Sequence, residues 1–331
     1  MSELRKDPIT GRWVVFATEY RQALNTVPQA GTPAVNPCPF CPGHEAMTPP
    51  EITAQRSAGS ASNDAKWKVR VIPNKYPVLR VEGALDPRGD GIYDRINGIG
   101  AHEIIIEGPD HLRDFDALSL EQAEMVLATL RDRFLDLKKD FRIQYVQAFK
   151  NFGEYAGANL GHPHIQLVGL PLVPKLVQEE LDGVRRHQAH RGRCVFCDIL
   201  HQDIRHPERL IAENEFFAAL APYAARSPFE TWILPKQHQS DFLGLGKGEI
   251  RAWARLLRDI LARCKRILKD PAYNWALHTA PFQATDAHLF HWHLEIFPRL
   301  ARTTGFEWGT DFFFNPTLPE EAARFLREAS V

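Results

Sequence analysis

Residues 159–171 read NLGHPHIQLVGLP, and residues 291–298 read HWHLEIFP. Each is a short apolar run that opens on His-x-His. Strand alternation puts His162, His164 and Gln166 on one face, so two imidazoles and an amide point into the same space. One imidazole can hold a metal while the next attacks an electrophile, and the amide can hydrogen-bond but not protonate.

Working outward, the segments before the two runs also match. The first is HEIIIEGPDHLRDFDALSLEQ, a helical stretch from about 123 to 139, and the strand RIQYVQAF. The second is FETWILPKQHQSDFLGLGKGE, a helical stretch from about 250 to 268, and YNWALHTAP. His111 precedes His164 by 53 residues, and His238 precedes His291 by 53. The pairs Cys38/Cys41 and Cys194/Cys197 lie 156 residues apart. Matching order and spacing predict two copies of one α+β unit, residues 1–172 and 173–331, each a mainly antiparallel sheet with a long helix. Ile250, Trp253, Leu256, Leu257, Ile260, Leu261 and Cys264 fall at helical spacing and read as core. HEIIIE and TWILP read as buried strands. Residues 173–193 read as a charged helical link, and 22–62, rich in Pro, Ala, Gly and Ser, as a long loop around the first cysteine pair.

The chain has 331 residues, 44% hydrophobic and 24% charged, with net charge −1. That balance is globular and offers no basic footprint for nucleic acid or a membrane surface. No run of eighteen apolar residues is present, and MSELRKDPITGRW lacks the apolar core of a secretory signal, so a cytoplasmic enzyme is expected. In a reducing compartment two C-x-x-C pairs read as metal knuckles, since Cys38 follows a Pro-rich loop rather than a strand entering a helix. Zinc takes four Cys or His ligands in a closed structural site. His111 and His162 are expected to complete the first, with His44 as a local competitor. His238 and His291 are expected to complete the second, with His278, His288 and His293 competing for the last place. With His162 on metal, His164 is left as a neutral imidazole able to attack phosphorus, and Gln166 can hydrogen-bond a phosphoryl oxygen. A Gln cannot protonate a leaving group, which favours transfer over hydrolysis.

DPITGRWV, CPFC, VIPNKYP, EGPDH, KNFGEYAGANLGHPHIQ, SPFETWILPKQH and GFEWGT with FFFNP together resemble the galactose-1-phosphate uridylyltransferase family of the histidine-triad superfamily, over nearly the whole chain. The resemblance implies two histidine-triad-like units and a double displacement through a nucleotidyl-histidine. His164 is then the nucleophile, Gln166 its phosphoryl partner, and Asn74, Asn151, Gly157 and Asn159 substrate contacts. It also implies a homodimer using a nucleotide sugar with a sugar 1-phosphate or phosphate, UDP-glucose and galactose 1-phosphate in the leading version, and two Zn2+ sites, the second open to iron. Two features depart from the uridylyl pattern. Ala158-Asn159-Leu160-Gly161 stands where a small hydroxyl residue is common, and Gly305-Phe306-Glu307-Trp308-Gly309 where a Lys is. The Gly305–Gly309 run, with the second cysteine pair, is similar to a sister branch that moves adenylyl groups, the ADP-sugar phosphorylases. A zinc-stabilised nucleotide binder without catalysis and a zinc-finger nucleic-acid binder are the non-enzyme alternatives.

Overall fold

The computed structural model describes residues 2–19, 30–31 and 35–330. The expected loop at 22–62 lies partly outside them. Its described part includes a strand, because Thr53–Arg56 pairs with the strand after it.

The chain opens on β1 (Glu3–Lys6) and β2 (Trp13–Phe16). The first unit continues with β3 (Thr53–Arg56), β4 (Trp67–Pro73), the hairpin β5 (Arg88–Asp90) and β6 (Tyr93–Arg95), β7 (Ala101–Ile106), α1 (Leu120–Leu137), β8 (Tyr145–Phe152) and β9 (His164–Leu170). Helix α2 (Lys175–Arg191) crosses to the second unit, which holds α3 (Val195–Arg205), β10 (Leu210–Glu213), β11 (Phe217–Leu220), β12 (Thr231–Pro235), α4 (Lys247–Leu268), β13 (Tyr273–His278) and β14 (His293–Pro298). The chain closes on α5 (Gly305–Thr310), β15 (Phe313–Asn315) and α6 (Pro319–Glu328). The expected helices and strands are present with ends shifted by a few residues. Ser119 caps α1 by accepting from the Gln122 amide, and α2 ends at left-handed Gly192.

The two units do not form separate sheets. Ten strands form one antiparallel sheet in the order β10-β11-β12-β14-β13-β8-β9-β7-β4-β3, joined at its centre where Asn151 stands opposite Asn274 and Lys150 opposite Trp275. The chain ends also interlock, since β15 pairs in parallel with β2.

Period-two alternation sorts residues between the faces. Ile165 and Leu167 of β9, with Leu277, Leu294 and Ile296 from the second unit, join the apolar faces of α1 and α4 in one core. Trp253, Ile260 and Cys264 of α4 are buried there as expected. The opposite face carries chemistry. In the first unit it holds Cys38, Phe40, Ile72 and Ile104; in the second, Cys194, Phe196, Leu220 and Trp232.

The spacing match needs one correction. Equating the two 53-residue intervals aligns His164 with His291. In the structure His291 corresponds to His162 and His293 to His164, since His164 and His293 each donate from Nδ1 to the carbonyl two residues earlier. The second unit is two residues longer between these points.

Candidate active site and metal centres

Strand β9 begins at His164, so His162 lies in the turn before it rather than on the strand. His162 Nε2 donates to the Gly108 carbonyl at 2.8 Å, which leaves Nδ1 facing Cys41 Sγ at 3.6 Å and Cys38 Sγ at 3.9 Å. His111 Nδ1 lies 3.3 Å from Cys41 Sγ. These four side chains could hold a metal ion. His44 is not among them; its Nδ1 turns to the Cys38 carbonyl at 2.7 Å.

The second unit repeats the arrangement. His291 Nε2 donates to the Pro235 carbonyl at 2.9 Å, and Nδ1 lies 3.6 Å from Cys197 and 3.8 Å from Cys194. His238 Nε2 donates to the His288 carbonyl at 2.9 Å, and Nδ1 lies 3.6 Å from Cys197. Cys194, Cys197, His238 and His291 form a second candidate metal group. Unlike the first pair, these cysteines sit at the head of a helix, with Cys194 as the N-cap of α3. His288 thus contributes only its carbonyl. His278 and His293 group instead with Glu180 of α2, a third buried cluster that could hold a metal. Against burial, the Glu180 and Glu295 carboxylates raise His278 to about 9.

His164 donates from Nδ1 to the His162 carbonyl at 2.8 Å, so the neutral ring keeps its lone pair on Nε2. Burial lowers its pKa to about 4, so the ring is unprotonated at neutral pH. It lies edge-on to Phe40 at 5.3 Å between centroids. His164 and Gln166 line a cavity of about 450 Å³ with Asn74, Asn159, Phe40 and Ile104. Asn151 and Gly157 are not in this lining. Asn151 Oδ1 accepts from Asn274 at 2.8 Å, and Gly157, at φ +84°, lies beside the Asn151 amide. The loop between them is set by Gly153, at φ +83°, where a Cβ would stand 2.3 Å from the Ala30 carbonyl.

Sequence reading missed two residues here. His102 of β7 lies between Asn74 and Gln166, with Nε2 3.0 Å from each side chain. Lys150 of β8 is fully buried against Glu107 and Asp114. A histidine two residues before Ile104 in a buried-strand pattern was the available signal for the first. A lysine inside YVQAFKNF was the signal for the second.

The family profile described as galactose-1-phosphate uridyl transferase, N-terminal domain, covers residues 1–174, and that of the C-terminal domain covers 180–307. The chain belongs to the galactose-1-phosphate uridyl transferase family. It is a nucleotidyltransferase-type enzyme with an α+β fold. It is 36% identical to an ADP-glucose phosphorylase of Arabidopsis thaliana over 99% of this chain and 93% of that one. It is 30% identical to a galactose-1-phosphate uridylyltransferase of Thermotoga maritima over 100% of this chain and 99% of that one. The crystal structure of an Arabidopsis thaliana ADP-glucose phosphorylase with bound ADP-glucose superposes with a TM-score of 0.84 at 33% identity, covering 100% of this chain and 99% of that one. Among the described residues, no helix is long and apolar enough to cross a membrane.

Proposed function

We propose that this family member transfers a nucleotidyl group from a nucleoside diphosphate hexose to a sugar 1-phosphate or phosphate, through a covalent intermediate on His164. Nε2 attacks the α-phosphorus. An N–P bond forms, the bond from phosphorus to the bridging oxygen breaks, and hexose 1-phosphate leaves with the bonding electrons. An acceptor phosphate oxygen then attacks phosphorus, the N–P bond breaks, and its electron pair returns to Nε2. As the ring becomes cationic in the first step, its Nδ1–H bond to the His162 carbonyl strengthens. Gln166 donates to a non-bridging oxygen, Asn74 and Asn159 contact the substrate across the cavity, and Asn151 and Gly157 hold the loop between them. The observation carrying this reading is His164, its Nδ1 tied to the His162 carbonyl, beside Gln166 in a nucleotide-sized cavity.

The Cys/His groups act as two structural Zn2+ sites in this reading. Zn–S near 2.3 Å and Zn–N near 2.0–2.1 Å in a tetrahedron place sulfur and nitrogen about 3.6 Å apart. The S···N separations of 3.3–3.9 Å fit that value. Two thiolates at the second site favour zinc over iron. The units 1–172 and 173–331 each bring one such site, and a cytoplasmic homodimer completes the reading.

UDP-glucose with galactose 1-phosphate is the leading substrate pair. A second reading, phosphorolysis of ADP-glucose, is supported by the 36% identity to an ADP-glucose phosphorylase and by the second cysteine pair. A panel separates them: UDP-glucose and ADP-glucose labelled in the α-phosphate, each with galactose 1-phosphate or inorganic phosphate as acceptor. Protein-bound label that is acid-labile and base-stable supports the intermediate. No label from either donor refutes it.

A further inference from the structure

The sheet register maps one unit onto the other. Ile104 faces Gln166 and Ile72 in the first; Trp232 faces Glu295 and Leu220 in the second. On this mapping the cavity above His164 has a counterpart beside the second cysteine pair. A cavity of about 500 Å³ lies there, walled by Val195, Ile199, Pro222, Tyr223 and Trp232, with Lys6, Arg191, Arg193 and Arg209 also lining it.

This counterpart cannot carry out the transfer. Trp232 replaces Ile104, and its ring lies 5.4 Å from His293 while Phe196 lies 4.8 Å from it. His293 is 1% exposed and is not part of the cavity wall. The space above the aromatic lid has stayed open, and its polar groups are incompletely paired. Asp203 is 1% exposed; Oδ1 accepts from Arg209, while Oδ2 and the Arg209 Nε have no hydrogen-bond partner among the described residues. Buried polar atoms in this state call for a partner. Arg191 is exposed and makes no ion pair among the described residues, whereas Arg193 and His187 share Asp198.

We propose that this second cavity binds a nucleoside phosphate without turning it over. The base lies against the apolar wall with a donor to Asp203 Oδ2, and the phosphates face Arg191 and Lys6. The ligand class rests on reading the first cavity as a nucleotide site; the existence of the second site does not.

Equilibrium dialysis of the full-length, metal-loaded protein with labelled ADP and, separately, UDP tests it. Wild type should saturate at two nucleotides per chain with at least one probe. Ile104→Trp, which copies the second unit, should keep only the second class. Ile199→Trp should keep only the first, with transfer intact. Arg191→Glu, an exposed change that spares folding, should weaken the second class roughly tenfold, also with transfer intact. Saturation at one nucleotide per chain that Ile104→Trp abolishes overturns the proposal, as does a second class indifferent to both Ile199→Trp and Arg191→Glu. If wild type transfers nothing yet binds a nucleotide sensitive to Arg191→Glu, the catalytic reading fails and this one stands.

Discussion

Nε2 of His102 lies 3.0 Å from Oε1 of Gln166. The ring's other nitrogen, Nδ1, faces the backbone N–H of Val78 at 3.3 Å, and that group can only donate. Nε2 also lies 3.0 Å from the Asn74 side-chain nitrogen, so one ring nitrogen holds the Gln166 and Asn74 carboxamides side by side. The Gln166 carboxamide is held with its NH2 end free for a phosphoryl oxygen. Asn74 is fixed beside it, because its Oδ1 accepts from the Tyr76 amide while its NH2 faces His102. His102→Phe should lower the single-turnover rate of His164 labelling by roughly 10²-fold, the cost of a misplaced group, with donor binding little changed. In a double-mutant cycle with Gln166→Leu, the second change should add little. Fully multiplicative losses would mean that His102 acts by another route.

Replacing the nucleophile separates catalysis from folding. His164→Gly removes a buried ring whose one polar contact among the described residues is a hydrogen bond to a backbone carbonyl. It should abolish both covalent labelling and turnover while the folded, metal-loaded protein still binds nucleotide. Retained turnover would place the nucleophile elsewhere.

Burial sets the pH response of His164. Its pKa falls to about 4, against 6.5 for a free imidazole. The labelling rate should therefore stay flat from pH 8 to about 5 and decline only as pH approaches 4; a cation on His162 would push in the same direction. The stability term has matching sign. Below 6.5 the unfolded chain takes the proton first, so the contribution is full above 6.5 and is lost as pH falls toward 4. His278, raised to about 9, runs the other way, its contribution full below 6.5 and lost as pH rises through 9. An acidic limb in labelling centred near 6.5 would contradict the buried, neutral ring.

The two cysteine groups should differ in consequence. The carbonyl that orients His164 belongs to His162, whose own Nδ1 faces Cys38 and Cys41. Cys38→Ser should therefore lower both melting temperature and labelling rate. Cys194→Ser should lower melting temperature with a smaller effect on labelling, since its group lies in the other unit. Zinc analysis should show one equivalent lost in each variant. Unchanged melting in both would exclude structural metal.

What the sequence revealed was local. Spacing and residue type sufficed for the two long helices, the duplicated order and both Cys/His sets, because those features lie within short windows or repeat between the halves. Three features depended on distant partners. Glu180 falls in a stretch that reads as a charged helical link, yet it is 4% exposed, buried against His278, 98 residues away. The join of β8 to β13 needs a register between units that no local pattern sets. His102 reads as the polar end of a buried strand until β9 brings Gln166 beside it. The misaligned 53-residue intervals have the same origin, since two inserted residues change spacing without changing the contacts of His162 and His291.

The join between the units carries its own charge cluster. Lys150 Nζ lies 2.6 Å and 2.7 Å from the two oxygens of Glu107 and 2.6 Å from Asp114. From the second unit, Lys265 Nζ reaches Asp114 at 2.7 Å and the Tyr273 hydroxyl donates to Asp114 at 2.8 Å. Against burial, the two ammonium groups hold Asp114 well below the usual carboxylate range. Lys150 is 0% exposed, so its charge is tolerated only because it is paired. Lys150→Met should leave Glu107 and Asp114 facing each other with one cation too few, and should cost about 3–5 kcal/mol of stability in urea unfolding. Adding Glu107→Gln should restore part of that loss, because the pair couples directly. A Lys150→Met protein that unfolds at the wild-type midpoint but no longer labels His164 would move this ammonium from the join to the chemistry.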